Sequence, residues 1–191
     1  MGQSKFTLGG AVWINLANTI VMQDNKKADV LDDPANVRQW LEDNGLLQDM
    51  DRLALDSVRH EMVQLRGLCA EAITDMLQVG QLSDQTFSRL ANKLSHLSLD
   101  VRLIRQDGTL ALLYEGRNLT DRISYAVLKS LVETLGKTPA DRIRKCEHEA
   151  CILHFVDTSK GGKRRWCSMD LCGNRQKATE FYARQKERVR K

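Results

Sequence analysis

Proline is nearly absent, at 2 in 191 residues, and aromatic side chains make up only 5 %. With an ordinary apolar share of 42 %, so little proline excludes a disordered or Pro-rich chain. No apolar run approaches the ~20 residues of a membrane span. The opening MGQSKFTLGG also lacks the apolar stretch and cleavage site of a secretory signal. The sequence therefore reads as cytoplasmic, with no membrane partner. Neither G-x-x-x-x-G-K-[ST] nor G-x-G-x-x-G occurs. Nucleophile–base sets and paired carboxylates are missing too, and the expectation is a non-enzyme. At ~100–200 residues per domain, the length allows one domain, or one domain plus a small module.

What is present is unevenly distributed. Residues 137–191 carry 15 Lys and Arg against 7 Asp and Glu, whereas residues 1–136 carry 14 against 18. A mildly acidic body with a basic end points to a polyanion-binding module on a carrier. Four of the five cysteines, Cys146, Cys151, Cys167 and Cys172, share the same basic end, and Cys69 stands alone. The expected division is an α-rich domain over 1–136 and a small module over 140–191.

The first part reads as helical. Val12, Trp13, Leu16, Ala17 and Ile20 recur at helical spacing over 11–22, after Gly9-Gly10. Asp33-Pro34 starts a second helix with Val37, Trp40 and Leu41 on its apolar face, and Gly45 closes it. Leu55, Val58, Met62, Leu65, Cys69, Ile73 and Met76 mark a long helix ending near Gly80. Ser83 caps another, with Phe87, Leu90, Ala91 and Leu94 expected on its buried face. The period then changes to two, and Asp107-Gly108 between alternating runs predicts a β-hairpin. Thr120 is the expected cap of a last helix carrying Ile123, Val127, Leu131 and Leu135 up to Gly136. The fold class is thus α+β, mainly α.

The cysteines form two pairs, each separated by four residues, with fifteen residues between the pairs. Two such loops can each supply two thiolates to a tetrahedral zinc. In a chain without a secretion signal, this reading is favoured over a disulfide pair or free thiols. Four thiolates close the shell, so one Zn2+ is expected to be structural. His148 and His154 are near enough in sequence to be considered as substitute ligands. A turn at Ser159–Lys163 is expected to bring the pairs together, in a treble-clef or ribbon-like finger: knuckle, hairpin, knuckle, helix. Trp166 either stacks on a base or forms a miniature core with Phe155 and Phe181. Asp157 and Ser159 read as turn formers.

The run RRWCSMDLCGNRQK, preceded by FVDTSKGGK, closely resembles the signature of the bacterial CGNR zinc-finger family. FTLGGAVWINLANT and DDPANVRQWL resemble the ABATE domain that accompanies that finger. Together they cover essentially the whole chain. The resemblance implies a zinc-binding finger and a role as a stress-induced transcriptional regulator.

Lys160, Lys163, Arg164, Arg165, Arg175 and Lys177 crowd the turn and second knuckle, and Arg184, Lys186, Arg188, Arg190 and Lys191 continue along the last helix. On that helix Ala178, Phe181, Tyr182, Gln185 and Val189 fall on one side and Lys177, Arg184 and Lys191 on the other. These cations form a candidate DNA-phosphate surface, although arginines so near the cysteines can instead bind knuckle carbonyls. Asn174, Arg175, Gln176 and Gln185 are candidates for base readout. A single module buries only ~600–1,000 Å2 on DNA, which makes a homodimer the expected assembly. Protein or RNA binding by the finger is the alternative, and an enzyme with its pocket in the first domain ranks last. Gly9, Gly10, Asn15, Asn18 and Thr19 could line a small-molecule effector pocket. The competing reading is a tight turn with asparagines bridging elements.

Overall fold

The computed structural model describes residues 4–47 and 55–189. Helix α1 runs only from Val12 to Ala17, not to Met22 as the periodicity suggests. The residues beyond its end explain the early stop. Thr19, Ile20 and Val21 are β-branched, and Asp24 and Asn25 both take positive φ, 49° and 61°. Two such residues make the tight turn whose twist suits a hairpin. Strand β1 (Ile20–Gln23) accordingly pairs antiparallel with β2 (Lys26–Asp29).

The next helices form where their caps place them. The Asp33 carboxylate accepts the Ala35 N–H (2.9 Å), and Pro34 opens α2 (Pro34–Asp43). At its end Gly45 takes φ +68°, which lets the Leu46 N–H return to the Leu41 carbonyl at 2.8 Å. Helix α3 (Leu55–Gln78) buries Val58, Met62, Leu65, Leu68, Cys69, Ala72, Ile73 and Met76 along one stripe. Ser83 caps α4 (Asp84–Ser95) as expected. Of the apolar face expected there, Leu90 is buried, while Phe87, Ala91 and Leu94 are exposed. The face exists, but the body covers only its middle.

Strands β3 (Leu99–Gln106) and β4 (Thr109–Gly116) pair across Asp107-Gly108, both at positive φ. Helix α5 (Leu119–Lys137) is capped by Asn118, whose side chain accepts the Asp121 N–H, rather than by Thr120. Helices α1, α3 and α5 pack on one another. Trp13, Ile14, Leu16, Met62, Leu65, Ile123, Val127 and Leu131 fill the space between them, with Trp40 and Leu41 from α2. At ~1.5–3 kcal/mol per buried large side chain, this apolar cluster is the main source of stability.

After Thr138-Pro139, β5 (Ile143–Lys145) pairs antiparallel with β6 (His154–Val156). A π-type turn over Met169–Gly173 leads into α6 (Asn174–Val189). The chain is mainly helical, with small antiparallel hairpins, and its clustered cysteines are followed by a C-terminal helix. Packing crosses the connection at 137–139: Ile143 and Val156 join the body's core, and Leu8 joins the apolar cluster around the cysteines. Among the described residues, no helix is long and apolar enough to cross a membrane.

Candidate metal centre

The β5–β6 hairpin encloses the first cysteine pair, whereas the expected hairpin lay between the pairs. The Cys146 N–H donates to the Leu153 carbonyl (2.8 Å), extending the ladder by one step. Within the loop, the Cys151 N–H donates to the His148 carbonyl, and the Ala150 N–H to His148 Nδ1 at 3.1 Å. The ring of His148 is thereby spent on its own loop. A turn does form at Ser159–Gly162, with Gly162 at φ +62°, but no strands flank it.

The second pair straddles the turn that leads into α6. The Ser168 carbonyl accepts the N–H groups of both Cys172 and Gly173 at 3.1 Å, and its hydroxyl accepts the Leu171 N–H. At Gly173 a Cβ would lie 2.4 Å from Met169 Sδ and 3.1 Å from Trp166 Cδ1. A side chain there would have to displace the end of Met169 and press on Trp166. Cys172 thus sits directly before the first turn of α6.

The four sulfurs converge. All lie within 4.8 Å of one another, with Cys151 Sγ 3.9 Å and Cys172 Sγ 3.6 Å from Cys167 Sγ. A tetrahedron with Zn–S of about 2.3 Å has edges of about 3.8 Å. The spacing therefore fits one zinc, and it is far too long for a disulfide. No histidine nitrogen joins this group among the described residues. His154 is tied elsewhere through its backbone. Its ring is held below the ordinary imidazole value by burial first, and then by Lys145.

The ionisation pattern fits the same donor set. Hydrogen bonds from Cys151 and Cys167 push the Cys146 thiol down. Burial, followed by the charges of Cys151 and Cys146, pushes Cys172 up to about 12. One thiolate forms readily and then resists the others, and a divalent cation among them removes that resistance.

Buried charge organises the surrounding loop. Asp157 accepts the N–H groups of Ser159 (2.9 Å) and Arg164 (3.0 Å), in keeping with its expected role as a turn former. Burial alone would raise its carboxyl. The hydrogen bonds from Ser159 and Arg164, together with the Arg142 charge, outweigh that and hold it at about 2. Arg142 donates to the carbonyls of Asp157 and Ser159, and Arg144 to those of Gly162 and Arg164. Sequence reasoning missed this arginine pair. Arg142 ends a 3-10 turn (Ala140–Arg142) whereas Arg144 lies in β5, so no single period along the sequence marks the pair.

The candidate phosphate contacts divide into two groups. The guanidinium of Arg164 turns inward. It donates to the carbonyls of Trp166 (2.9 Å), Cys167, Leu8 (3.3 Å) and Val156 (3.4 Å), and lies 4.4 Å from the Phe155 ring centroid. Arg165 is exposed but paired with Glu147 at 2.6 Å. Lys160, Lys163, Arg175, Lys177, Arg184 and Arg188 are exposed, as is Asn174. None of those six cations makes an ion pair among the described residues. Phe181 does not join the finger's core as one reading had it. Trp166 packs on the cluster of Phe155, Leu8 and the cysteines, while Phe181 is exposed beside Tyr182. Arg190, Lys191 and the side chain of Val189 lie outside the described residues.

The candidate effector residues mostly bridge elements. Asn15 accepts the Gly9 N–H and donates to Asn44. Asn18 both donates to the carbonyl of His154 and accepts its N–H, at 2.8 and 2.9 Å, as a neighbouring strand would. Thr19 donates to the Leu16 carbonyl and accepts from Arg66. The Gly9 carbonyl accepts the Val156 N–H, and Gly10 stands at φ +77°. Gly10 and Asn15 do line an open groove of about 610 Å3 between α1, the end of α2 and α5. Asn18 lines a different cavity.

Comparison with known families agrees with this geometry. The profile of the CGNR zinc finger matches residues 142–185, including Cys172-Gly173-Asn174-Arg175. The profile of the ABATE family, whose description reads "Putative stress-induced transcription regulator", matches residues 10–137. None of the curated proteins compared with the chain matches it. The four cysteines are thus positioned to hold one metal ion, the structural Zn2+ of a CGNR finger. The ABATE match spans more than half of the sequence, and the chain belongs to the ABATE family.

Proposed function

We propose that this regulator binds DNA through its finger, with the zinc fixing α6 as the element presented to the duplex. One observation carries the reading: none of the described side chains of α6 is buried. The helix is about 24 Å long at 1.5 Å per residue. It carries five Lys and Arg against two Glu. A helix that buries no face against its own protein has no folding reason to be there, and a basic one fits the major groove. Lys160 and Lys163 add exposed charge from the loop that precedes the second cysteine pair. The contacting set is Lys160, Lys163, Arg165, Arg175, Lys177, Arg184 and Arg188, with Asn174 at the helix start. Arg164 acts as a structural clamp.

The α-rich body serves as carrier, and the groove at Gly10 and Asn15 is the candidate effector site. The protein works in the cytoplasm and is not an enzyme. Exposed Phe181 and Tyr182 favour a second reading, in which the same surface stacks on single-stranded nucleic acid. Fluorescence anisotropy of the zinc-loaded chain on random duplex, over a salt series, tests the proposal. The expected result is a linear fall of log K with log salt. Lys177→Ala with Arg184→Ala should reduce that slope by about 2, at unchanged zinc content. Absence of duplex binding at low salt overturns the proposal. Displacement of duplex by equimolar single strand selects the second reading.

A further inference from the structure

The β3–β4 ribbon exposes an apolar face. In the observed register, Leu99, Val101, Leu103 and Arg105 share one side with Gly116, Tyr114, Leu112 and Leu110. On that side Val101, Leu103, Leu110 and Leu112 are 55, 68, 69 and 56 % exposed, and Tyr114 is 42 % exposed. These five side chains present about 500 Å2 in one block, the size of the largest apolar patch on a monomer, which is often functional. The ribbon has only two strands, and an isolated two-stranded ribbon is marginally stable at best.

Its base, by contrast, is firmly mounted. A Cβ on Gly116 would lie 2.1 Å from the Arg122 nitrogen, so β4 sits directly against the first turn of α5. The Arg117 N–H donates to the Ser98 carbonyl at 3.0 Å, and the rings of Tyr114 and Tyr125 are 6.5 Å apart. The apolar face is therefore carried on an anchored arm.

We infer that this face is a homodimer interface, covered by the same face of a second copy of the chain. Charge supports that occupant. The face holds a single cation, Arg105, and no carboxylate, so it offers little to select a differently charged partner. Arg105 lies at the turn end of the block. A two-fold axis through the middle of the face sets each Arg105 over the far end of the other ribbon, about 20 Å from its counterpart at ~3.4 Å per residue. Two copies then bury about 1,000 Å2 in total, the lower bound for a specific interface. The paired ribbons form two aligned layers, as sheets pack in sandwiches. This inference does not depend on what the finger binds.

Sedimentation equilibrium of the full zinc-loaded chain at micromolar concentration tests it without DNA. The expected mass is twice the 21.7 kDa of one chain. Leu103→Glu with Leu112→Glu should restore the single-chain mass. Because both side chains are exposed, helical circular dichroism and zinc content should not change. Val79→Glu, at an apolar position 70 % exposed at the end of α3, should leave the dimer intact. A wild-type chain of single mass overturns the inference, as does a dimer that survives the double variant.

Discussion

Replacing Arg164 with alanine separates a structural arginine from the exposed cations around it. Its guanidinium makes two short hydrogen bonds, to the carbonyls of Trp166 and Cys167, and two near the distance limit, to those of Leu8 and Val156. A hydrogen bond from a charged donor contributes about 1.5–3 kcal/mol net, and bonds near the limit contribute little. The Phe155 ring beneath it adds about 1 kcal/mol. Allowing for non-additivity, Arg164→Ala should cost about 3–5 kcal/mol. Folding of such a finger and binding of its zinc are one equilibrium. The loss should therefore appear as zinc affinity weaker by at least a hundredfold, at about 1.4 kcal/mol per decade. Competition for zinc against a chromophoric chelator reads this directly. Arg165→Ala removes one exposed ion pair and an exposed contact with the Trp166 ring (4.7 Å), together worth about 2 kcal/mol or less, and should change zinc affinity by no more than about thirtyfold. Arg164→Lys should rescue little, because a single ammonium cannot reproduce the fork that reaches four separate carbonyls. If Arg164→Ala matches Arg165→Ala in zinc affinity, the clamp is refuted.

Two further outcomes test the body of the fold. Asp29 is held below the usual carboxylate range by its bidentate hydrogen bonds to Arg66 at 2.6 Å, against the opposing effect of burial. A native value below the unfolded one contributes stability above about pH 4, which is lost as pH falls through the native value. The gap in urea midpoint between wild type and Asp29→Asn should thus hold from pH 7 to pH 5 and close below pH 4; a gap that widens on acidification contradicts the pairing. Gly116→Ala drives a methyl into the backbone of α5 and should cost about 1–3 kcal/mol, a lower melting temperature by several degrees. Gly136→Ala, in open space within the same helix, should instead stabilise by up to about 1 kcal/mol, and equal effects of the two would contradict the packing at Gly116.

The sequence was most informative where the controlling interaction is local. Asp33-Pro34, Ser83 and Asp107-Gly108 act through their own neighbours' backbone, and each did what its chemistry predicts. The cysteine spacing was equally legible, because two short loops can present four sulfurs in few ways. Helix α1 was overextended because Ile20 continues its apolar period, although the turn-forming pair Asp24-Asn25 was visible downstream. Phe87 and Phe181 show a different limit. Periodicity says that a helix has an apolar face, but not that the rest of the protein is wide enough to cover it. Least legible were Leu8 under the cysteines and Asn18 against His154, where the partners lie 136 or more residues away. Those contacts join body and finger, and no window along the chain contains both halves.

The central claim is that zinc makes α6 a DNA-binding element. Its most direct test is one anisotropy titration of duplex DNA with the same preparation before chelation, after chelation, and after zinc is restored. Binding should disappear when the metal is removed and return with one equivalent of zinc per chain. Unchanged affinity and salt slope in the zinc-free protein would contradict it.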